Sequence, residues 1–256
     1  MTESRYYDTE NRAEKVRALF TRIASRYGVM NDLMSFGLHR RWKQKVVGAI
    51  CDRPIAISPA GEGCSPLQTL DVCCGTGDLT LGLAARGARV VGLDFTPAML
   101  SIAQSRCNTA SFPGSIAPTL IRGDALQLPF ASETFDAVTI GFGLRNLADF
   151  EGGLREMVRV IKPGGRVVIL DFGLPDNRLW RLIYWRFLRM AVPLLGLLVV
   201  GDRQAYRYIP ASLERYPAQH GIAKLMSQVG FADVRIVNFL GGVSSIHVGD
   251  RKPNVS

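Results

Sequence analysis

An arginine and an asparagine, Arg145 and Asn146, close the stretch GFGLRN that begins at Gly141. The preceding residues, FDAVTI, predict a buried strand, and the following ones, LADFEGGLREMVRVI, predict a helix. Because ligands of open α/β sheets bind beyond the carboxyl ends of the strands, we expect both side chains to border a binding site. Arginine keeps its proton in proteins, so Arg145 is suited to hold a water or a developing oxyanion. The alternative for Arg145 is an ion pair with a nearby carboxylate.

Acidic residues end three successive predicted strands, at Asp71, Asp94 and Asp124. A carboxylate at Asp94 can accept hydrogen bonds from both hydroxyls of a ribose. Asp124 can accept one from an adenine amino group, with Ala125 and Leu126 bordering the base. Three carboxylates repel phosphates and favour a nucleoside that carries a positive centre. They therefore indicate S-adenosylmethionine, which has a ribose, an adenine, an ammonium and a sulfonium.

The first of these strands is followed by a Gly-x-Gly turn, Gly75 and Gly77, in LDVCCGTGDLT. Glycines let the backbone approach a ligand, although a tight strand-to-helix turn alone would use them too. The dinucleotide fingerprint G-x-G-x-x-G is incomplete because Thr80 occupies its last position. The chain also has no G-x-x-x-x-G-K-[ST] phosphate loop. NAD, FAD and nucleoside triphosphates are therefore disfavoured.

Strands and helices alternate with short connections from residue 69 to residue 172, which predicts a doubly wound, mostly parallel sheet. Residues 10–50 read as helical, with Val16, Leu19, Phe20 and Ile23 on one face. A linker rich in Pro, Gly and Ser follows. KPGG is a predicted turn, and Thr96 with Pro97 a predicted helix start. Near the end, VRIVNF and SSIHVGD predict an antiparallel hairpin that brings the sheet to seven strands.

Five cysteines without regular spacing, at positions 51, 64, 73, 74 and 107, do not suggest a disulfide framework. The chain has no C-x-x-C motif and its three histidines lie far apart, so no metal site is expected. These features fit a reducing, cytoplasmic compartment. The polar N-terminus does not resemble a secretory signal, and no run of eighteen apolar residues predicts a membrane-spanning helix.

The net charge of +9 is concentrated in two segments. Residues 5–45 carry ten Lys and Arg against four Asp and Glu, and residues 176–216 carry seven Arg against three acids. This distribution indicates an anionic surface or nucleic acid as a partner, or else ordinary solvated arginines.

The second basic segment predicts an amphipathic helix with arginines in one arc and large apolar side chains mostly opposite. The two sets are Arg178, Arg181, Arg186 and Arg189, and Trp180, Ile183, Phe187 and Met190. A basic amphipathic helix with tryptophans is typical of an element that lies in the membrane interface. The competing interpretation is a helix packed on the domain or at a homodimer interface.

Three motifs resemble the quinone C-methyltransferases of menaquinone and ubiquinone biosynthesis, a branch of the class I S-adenosylmethionine-dependent methyltransferases. They are YGVMNDLMSFGLHRRWK (27–43), GFGLRN (141–146) and RVIKPGGR (159–166). The resemblance implies a Rossmann-like methyltransferase domain over 66–256, an N-terminal helical lid over 1–50 and a substrate or membrane insertion at about 176–216. It implies cofactor contacts at Thr76, Asp94, Asp124, Ala125 and Gly141. We add Asp71, Gly75 and Gly77 from the strand-end pattern.

The implied reaction moves a methyl group to a ring carbon of a prenylated quinol, most directly demethylmenaquinol, with a benzoquinol as the alternative. The resemblance places Arg145 at the catalytic step, acting through water. Asn146 and Tyr27 are expected to orient the ring oxygens. His39 is a candidate proton acceptor, or else it caps the helix HRRWKQKVV.

Two residues depart from the family pattern: Cys73 stands where most methyltransferases have glycine, and Gly28 where the family usually has aspartate. If that aspartate orders the lid, the lid of this chain is held differently. A methyltransferase for RNA or another small molecule is a further alternative, although no RNA-binding module is evident and no nucleic acid is expected as partner. A non-catalytic binding protein is disfavoured by the complete set of carboxylates. The expected location is cytoplasmic, with peripheral contact to the membrane.

Overall fold

A computed structural model describes residues 12–52, 66–112, 114, 116–200 and 203–253 of this 256-residue chain. Residues 1–11 and most of the predicted linker, with Cys64, lie outside these ranges. The strands are β1 (Gln68–Val72), β2 (Arg89–Asp94), β3 (Thr119–Arg122), β4 (Phe135–Gly141), β5 (Ile161–Phe172), β6 (Phe231–Phe239) and β7 (Ser244–Arg251). The helices are α1 (Arg12–Ile23), α2 (Tyr27–Ser35), α3 (Leu38–Cys51), α4 (Asp78–Ala84), α5 (Pro97–Thr109), α6 (Phe150–Val160), α7 (Arg178–Arg186), α8 (Val192–Val200), α9 (Arg203–Arg215) and α10 (Ala218–Val229).

The strands form one seven-stranded sheet in the order β3-β2-β1-β4-β5-β7-β6. The first five are parallel, and β7 runs antiparallel between β5 and β6. Strand order reverses between β1 and β4, so their carboxyl ends diverge into a crevice. Leu70, Val72, Val138 and Ile140 on these two strands are fully buried, as a sheet covered on both faces requires. The predicted α/β fold with its C-terminal hairpin is confirmed.

The N-terminal segment folds into α1, α2 and α3, with a 3₁₀ turn at Ala24–Arg26. Leu19 and Ile23 are buried in the main core, while Val16 and Phe20 are half-buried. Phe36 and Gly37 adopt left-handed backbone angles, with φ of 50° and 74°, which end α2 and start α3. This turn joins α2 directly to α3, so the two helices lie side by side next to the crevice.

Two local predictions need adjustment. KPGG lies inside the bounds of β5, where the register with β4 shifts and Gly164 has a φ of 75°, so the turn is a bulge within the strand. Thr96 does occupy the N-cap of α5, followed by Pro97, but its side chain makes no capping hydrogen bond.

The second basic segment is helical, as expected, but a different face is buried. Tyr184, Leu188 and Val192 pack into the core, since a π-helical turn at Phe187–Ala191 shifts the register between α7 and α8. The expected apolar face stays largely exposed: Ile183 is 49% exposed and Met190 65%.

The stretch Arg178–Val199 is long and apolar enough to cross a membrane by length and composition, with a mean hydropathy of 1.6. The expectation of no spanning helix rested on the lack of an uninterrupted apolar run, which this broader criterion does not require, and a match in length and composition alone does not overturn it. Of the 18-residue window within this stretch, 28% is buried inside the fold.

The described cysteines, Cys51, Cys73, Cys74 and Cys107, all carry free thiols. Burial raises the pKa of each, which keeps the thiols protonated.

Candidate active site

Two neighbouring cavities open at the carboxyl ends of the strands. The first, which we call the strand-end cavity, has a volume of about 90 Å³ and is lined by Gly75, Asp94, Asp124, Ala125, Gly141 and Asn146, among others. The second, the apolar cavity, has a volume of about 210 Å³ and lies among α2, α3, α7, α8 and α9. Its polar wall includes His39 and Arg145.

Two of the three predicted carboxylates border the strand-end cavity. Asp94 is buried and accepts hydrogen bonds from the backbone N–H groups of Gly75 and Thr96, both at 2.8 Å. Burial raises the pKa of Asp94, and the hydrogen bonds from the Thr96 and Gly75 backbone oppose this rise. Asp124 is exposed and accepts from the N–H of Leu126 at 2.9 Å. Both carboxylates retain lone pairs for the hydroxyls and amine of a nucleoside.

Asp71 lies beneath the glycine turn, outside the strand-end cavity. Its two oxygens accept hydrogen bonds from the hydroxyls of Thr80 and Thr139, at 2.6 and 2.9 Å. Burial raises the pKa of Asp71 to about 6, even though both threonines lower it. Asp71 holds the start of α4 against β1 and β4, and it also borders a small cavity that Gly75 and Gly141 line.

Thr76 and Gly77 also lie outside the strand-end cavity. The carbonyl of Thr76 accepts from Arg106 at 2.6 Å, and Thr76 borders a separate polar cleft beside α3 and α4. Gly77 has a φ of 83° and caps the N-terminus of α4. An added Cβ on Gly77 would approach the Cβ of Ala103 to 3.2 Å, so this glycine is required by a turn and by close packing.

The glycines of GFGLRN make room for protein side chains as well as for a ligand. A Cβ on Gly141 would come within 2.8 Å of Leu79, and one on Gly143 within 2.6 Å of the Cβ of Cys73. Both glycines border the strand-end cavity. Cys73 and Gly143 thus occupy complementary space, since the Cys73 side chain fills the volume that a side chain at position 143 would need.

Arg145 is 2% exposed and forms the ion pair that was the alternative interpretation. Its Nη1 atom donates to Asp171 Oδ1 at 2.8 Å and to the Phe142 carbonyl at 2.7 Å, and Nη2 donates to the Tyr208 hydroxyl at 3.3 Å. The guanidinium also lies 4.7 Å from the centre of the Phe172 ring. Burial alone would lower the pKa of Arg145, but the Asp171 carboxylate outweighs it and raises the pKa. Arg145 is therefore a fixed cation in the wall of the apolar cavity.

Arg145 and Asn146 border different cavities, contrary to the expectation that both face the same oxygens. Asn146 lines the strand-end cavity, and its amide donates to the Phe142 carbonyl at 3.2 Å. The residues from Leu144 to Asn146 form a 3₁₀ turn, in which side chains of successive residues point apart. The turn thus divides its polar side chains between the cavities.

Tyr27 and Phe142 are the described residues that border both cavities. Phe142 is buried with a φ of 59°, an unusual angle for a residue with a side chain, and its N–H donates to the Leu170 carbonyl. Burial raises the pKa of Tyr27, although the charge of Arg145 opposes this, so its hydroxyl stays protonated and able to donate. The side chains of Tyr27 and Phe142 thus form the shared wall, or partition, between the strand-end cavity and the apolar cavity.

His39 is 5% exposed and does not cap a helix, because Gly37 occupies the N-cap of α3. Its Nδ1 atom lies 2.9 Å from the hydroxyl of Ser35, and 3.7 Å from Asp32 Oδ1. His39 borders the apolar cavity and the polar cleft.

A sequence model of the ubiE/COQ5 methyltransferase family matches residues 8–251. The chain belongs to this family. A demethylmenaquinone methyltransferase of Desulfitobacterium hafniense is 39% identical over 250 residues, which cover 96% of this chain and 93% of the relative. The ubiquinone/menaquinone biosynthesis C-methyltransferase UbiE of Cereibacter sphaeroides is 36% identical, with coverages of 93% and 91%.

Among solved structures, an S-adenosylmethionine-dependent methyltransferase of Thermotoga maritima superposes with a TM-score of 0.58 at 17% identity, covering 92% of this chain and 99% of its own. This likeness concerns the fold. Family membership confirms the expectation of an S-adenosylmethionine-dependent C-methyltransferase. The strand-end cavity fits that cofactor, because it combines two carboxylates for the nucleoside with a glycine turn that leaves the backbone accessible.

Three members of the site were missed by the sequence interpretation: Asp171, Tyr208 and Phe142. Asp171 had a detectable signal, since RVVILDF repeats the pattern of RVVGLDF, in which Asp94 ends β2. Tyr208 had none, because α9 meets the 3₁₀ turn only through the tertiary fold. Phe142 lies between Gly141 and Gly143, and no sequence pattern distinguishes it from an ordinary core residue.

Proposed function

We propose that this chain transfers a methyl group from S-adenosylmethionine to a ring carbon of a prenylated quinol, most directly demethylmenaquinol. The observation that carries the proposal is the shared partition: a cavity suited to a nucleoside and a cavity suited to an apolar ring meet at Tyr27 and Phe142. In-line transfer needs the ring carbon roughly 3 Å from the methyl carbon, and adjoining cavities are the simplest way to arrange this. The relatives named for demethylmenaquinone and for ubiquinone/menaquinone biosynthesis support the same substrate class.

Arg145 is proposed to stabilise the negative charge on the ring oxygen after the quinol hydroxyl loses its proton. The Nε–H group of Arg145 is buried and has no hydrogen-bond partner among the described residues. A buried donor without a partner costs about 1–3 kcal/mol, which a ring oxygen or a water in the apolar cavity would relieve. Tyr27 would donate to a ring oxygen from the partition, and Asn146 would act from the cofactor side.

The N-terminal helices are proposed to form a lid, residues 1–50, over a methyltransferase domain spanning 66–256. Ala13, Val16 and Phe20 of α1 line the strand-end cavity, whose volume of about 90 Å³ is small for a whole cofactor. Arg12 donates from Nη2 to the Arg145 carbonyl at 3.0 Å. Opening of α1 would therefore admit the cofactor, and its closure would brace the turn that carries Arg145.

The insertion at about 176–216 is proposed to rest on an anionic membrane surface on the cytoplasmic side. Four residues both line the apolar cavity and are exposed, and we call them the apolar mouth: Phe36, Trp180, Ile183 and Leu240. Phe36 is 83% exposed, and Leu198 on α8 73%. Exposed arginines at 178, 186 and 189 lie on the same helical segment. A mouth that is apolar on the outside lets an isoprenoid tail remain in lipid while the ring enters.

Vesicle binding tests the membrane contact. Leu182→Asp and Arg186→Glu should each weaken sedimentation with vesicles of anionic phospholipid, because an apolar contact and about 1 kcal/mol per basic residue are lost. Arg155→Glu on α6 is the matched charge reversal and should bind as the wild type does. Equal vesicle binding by all variants would contradict the membrane contact. A dimer in size-exclusion chromatography that the first two variants disrupt would favour the homodimer interface instead.

The substrate is tested with labelled S-adenosylmethionine and three acceptors: reduced demethylmenaquinone, a reduced prenylated benzoquinone lacking its methyl, and RNA. The proposal expects label in the reduced naphthoquinone and none in its oxidised form, because the oxidised ring is not nucleophilic. Preference for the benzoquinol would correct the ring. Label in RNA alone would contradict the proposal.

A further inference from the structure

His39 is the one described residue that lines both the apolar cavity and the polar cleft. The polar cleft lies between α2, α3 and α4 and is bordered by Asp32, Arg40, Lys43, Asp78, Arg86 and Arg106. We propose that His39 carries the proton released by methyl transfer from the apolar cavity to this cleft. The inference rests on the proposed function.

Methyl transfer to a quinol carbon releases one proton for each turnover. The quinol O–H bond breaks, the ring carbon forms a bond to the methyl group, and the electron pair of the broken S–C bond remains on sulfur. The ring carbon then loses its hydrogen as a proton, which restores the aromatic ring. The ring oxygen takes up a proton again, so the net release is one proton. No oxidant is needed. Because the cavity is apolar, an unremoved proton would leave a charge in a site that stabilises it poorly.

The hydrogen bonds of Ser35 fix the tautomer of His39. The Ser35 hydroxyl donates its single proton to the Asn31 carbonyl at 2.6 Å, and it must therefore accept from Nδ1 of His39 at 2.9 Å. Nδ1 then carries the proton and Nε2 the lone pair. Nε2 has no hydrogen-bond partner within the described ranges, so its lone pair is available to accept a proton.

The carboxylate of Asp32, which borders the polar cleft, lies near the Nδ1 atom of the His39 ring. Asp32 Oδ1 lies 3.7 Å from Nδ1, and the Asp32 side chain is 34% exposed. Hydrogen bonds from Arg40 hold Asp32 in place and lower its pKa, which keeps it ionised. An ionised Asp32 stabilises the imidazolium, and the Nδ1 proton then leaves through the polar cleft to solvent.

The charged groups around His39 favour its neutral form between turnovers. Burial and the Lys43 ammonium lower the pKa of His39, while Asp32 and Asp78 raise it and Arg40 lowers it slightly. From the side of the apolar cavity, Tyr27 and Arg145 border the same space. A neutral imidazole at physiological pH is a base ready to accept, and the imidazolium is readily discharged into the cleft.

The test compares His39→Gln with wild type in the pH dependence of quinol methylation. Glutamine can still donate to Ser35 but cannot titrate, so kcat should fall by about 100-fold and lose its acid limb. The KM for quinol and the Kd for S-adenosylmethionine should stay within about threefold. His39→Ala should regain part of its kcat when imidazole is added. His220→Gln changes an exposed histidine on α10 that pairs with Asp176, outside the cavities and the cleft, so it is the matched control and should keep the wild-type profile.

An unchanged acid limb in His39→Gln, or a loss of kcat without imidazole rescue in His39→Ala, would overturn the relay. A loss explained by weaker cofactor binding or by unfolding would also overturn it in favour of a structural role. If the wild type methylates the quinol and only the relay variants behave unexpectedly, the proposed function stands. If the wild type methylates no quinol, the proposed function and the relay both fail.

Discussion

Replacing Asp171 with asparagine removes the negative charge that holds Arg145. Both side chains are sealed, at 0% and 2% exposure, and the carboxylate accepts from Arg145 Nη1 at 2.8 Å, from the Arg145 N–H at 3.1 Å and from the Phe172 N–H at 2.8 Å. Asp171→Asn keeps the size of the side chain but leaves the guanidinium buried without a counter-charge. Breaking a buried pair in this way costs roughly 3–5 kcal/mol of unfolding free energy.

Tyr208→Phe is the matched control, because it removes a neutral partner of the same guanidinium. The Tyr208 bond to Nη2 is longer, at 3.3 Å, and such a bond contributes about 0.5–1.5 kcal/mol. The variants therefore differ in whether they remove charge or only one hydrogen bond from Arg145. The expected order of stability is wild type, then Tyr208→Phe, then Asp171→Asn.

Urea unfolding monitored by circular dichroism measures both costs. For a domain of this size, about 3–5 kcal/mol corresponds to a melting temperature lower by roughly 6–20 °C. Affinity for S-adenosylmethionine, measured on the folded protein, should change little because Asp171 does not line the strand-end cavity. If Asp171→Asn costs no more than Tyr208→Phe, the ion pair does not hold Arg145 and our account of the site is refuted.

Four further variants probe the glycine turn, the cofactor side and α2. Asp71→Asn should flatten the pH dependence of stability. With its pKa raised to about 6, folded Asp71 binds its proton more tightly than the unfolded chain does, so its contribution to the unfolding free energy falls by roughly 2 kcal/mol as pH rises from about 4 to about 6. Unfolding free energies of both proteins at pH 4 and 7 would refute this if their difference stays constant. Asp94→Asn should weaken S-adenosylmethionine binding by calorimetry about 10- to 100-fold, through lost charge-assisted hydrogen bonds; an unchanged Kd would place the ribose elsewhere. Gly28→Ala should stabilise the protein by about 0.4–1 kcal/mol, since its Cβ meets no atom within 4 Å, whereas Gly77→Ala, at a φ of 83°, should destabilise it; equal thermal shifts would contradict the backbone argument.

The sheet and its strand-end residues were predictable because both follow from local patterns. Apolar runs separated by glycine turns determine β1, β2 and β4, and each strand delivers the residue after it to the same edge of the sheet. Asp94 and Asp124 accordingly line the strand-end cavity as expected. Asp71 follows the same pattern, but its carboxylate lies beneath the sheet edge and accepts hydrogen bonds from the hydroxyls of two threonines.

The remaining features depend on contacts between distant segments. The orientation of α7 was predicted from an unbroken period of 100° per residue, and the π-helical turn at Phe187–Ala191 defeats that assumption. The division of Arg145 and Asn146 between cavities depends on a 3₁₀ turn and on Asp171, which lies 26 residues further along the chain. The position of His39 between two cavities arises where α2 and α3 meet α4, which no periodicity encodes.

The central claim is that Arg145 acts on the acceptor while the cofactor binds in the neighbouring cavity. Arg145→Gln combined with Asp171→Asn removes both charges together, so it tests the role of the cation without leaving a buried carboxylate unpaired. The decisive measurement is single-turnover methylation of reduced demethylmenaquinone by this folded double variant, beside equilibrium binding of S-adenosylmethionine. We predict a rate about 10²–10³ lower, as for loss of a preorganised oxyanion donor, with cofactor affinity within about threefold of wild type. A double variant that methylates at the wild-type rate, or that no longer binds the cofactor, would contradict the claim.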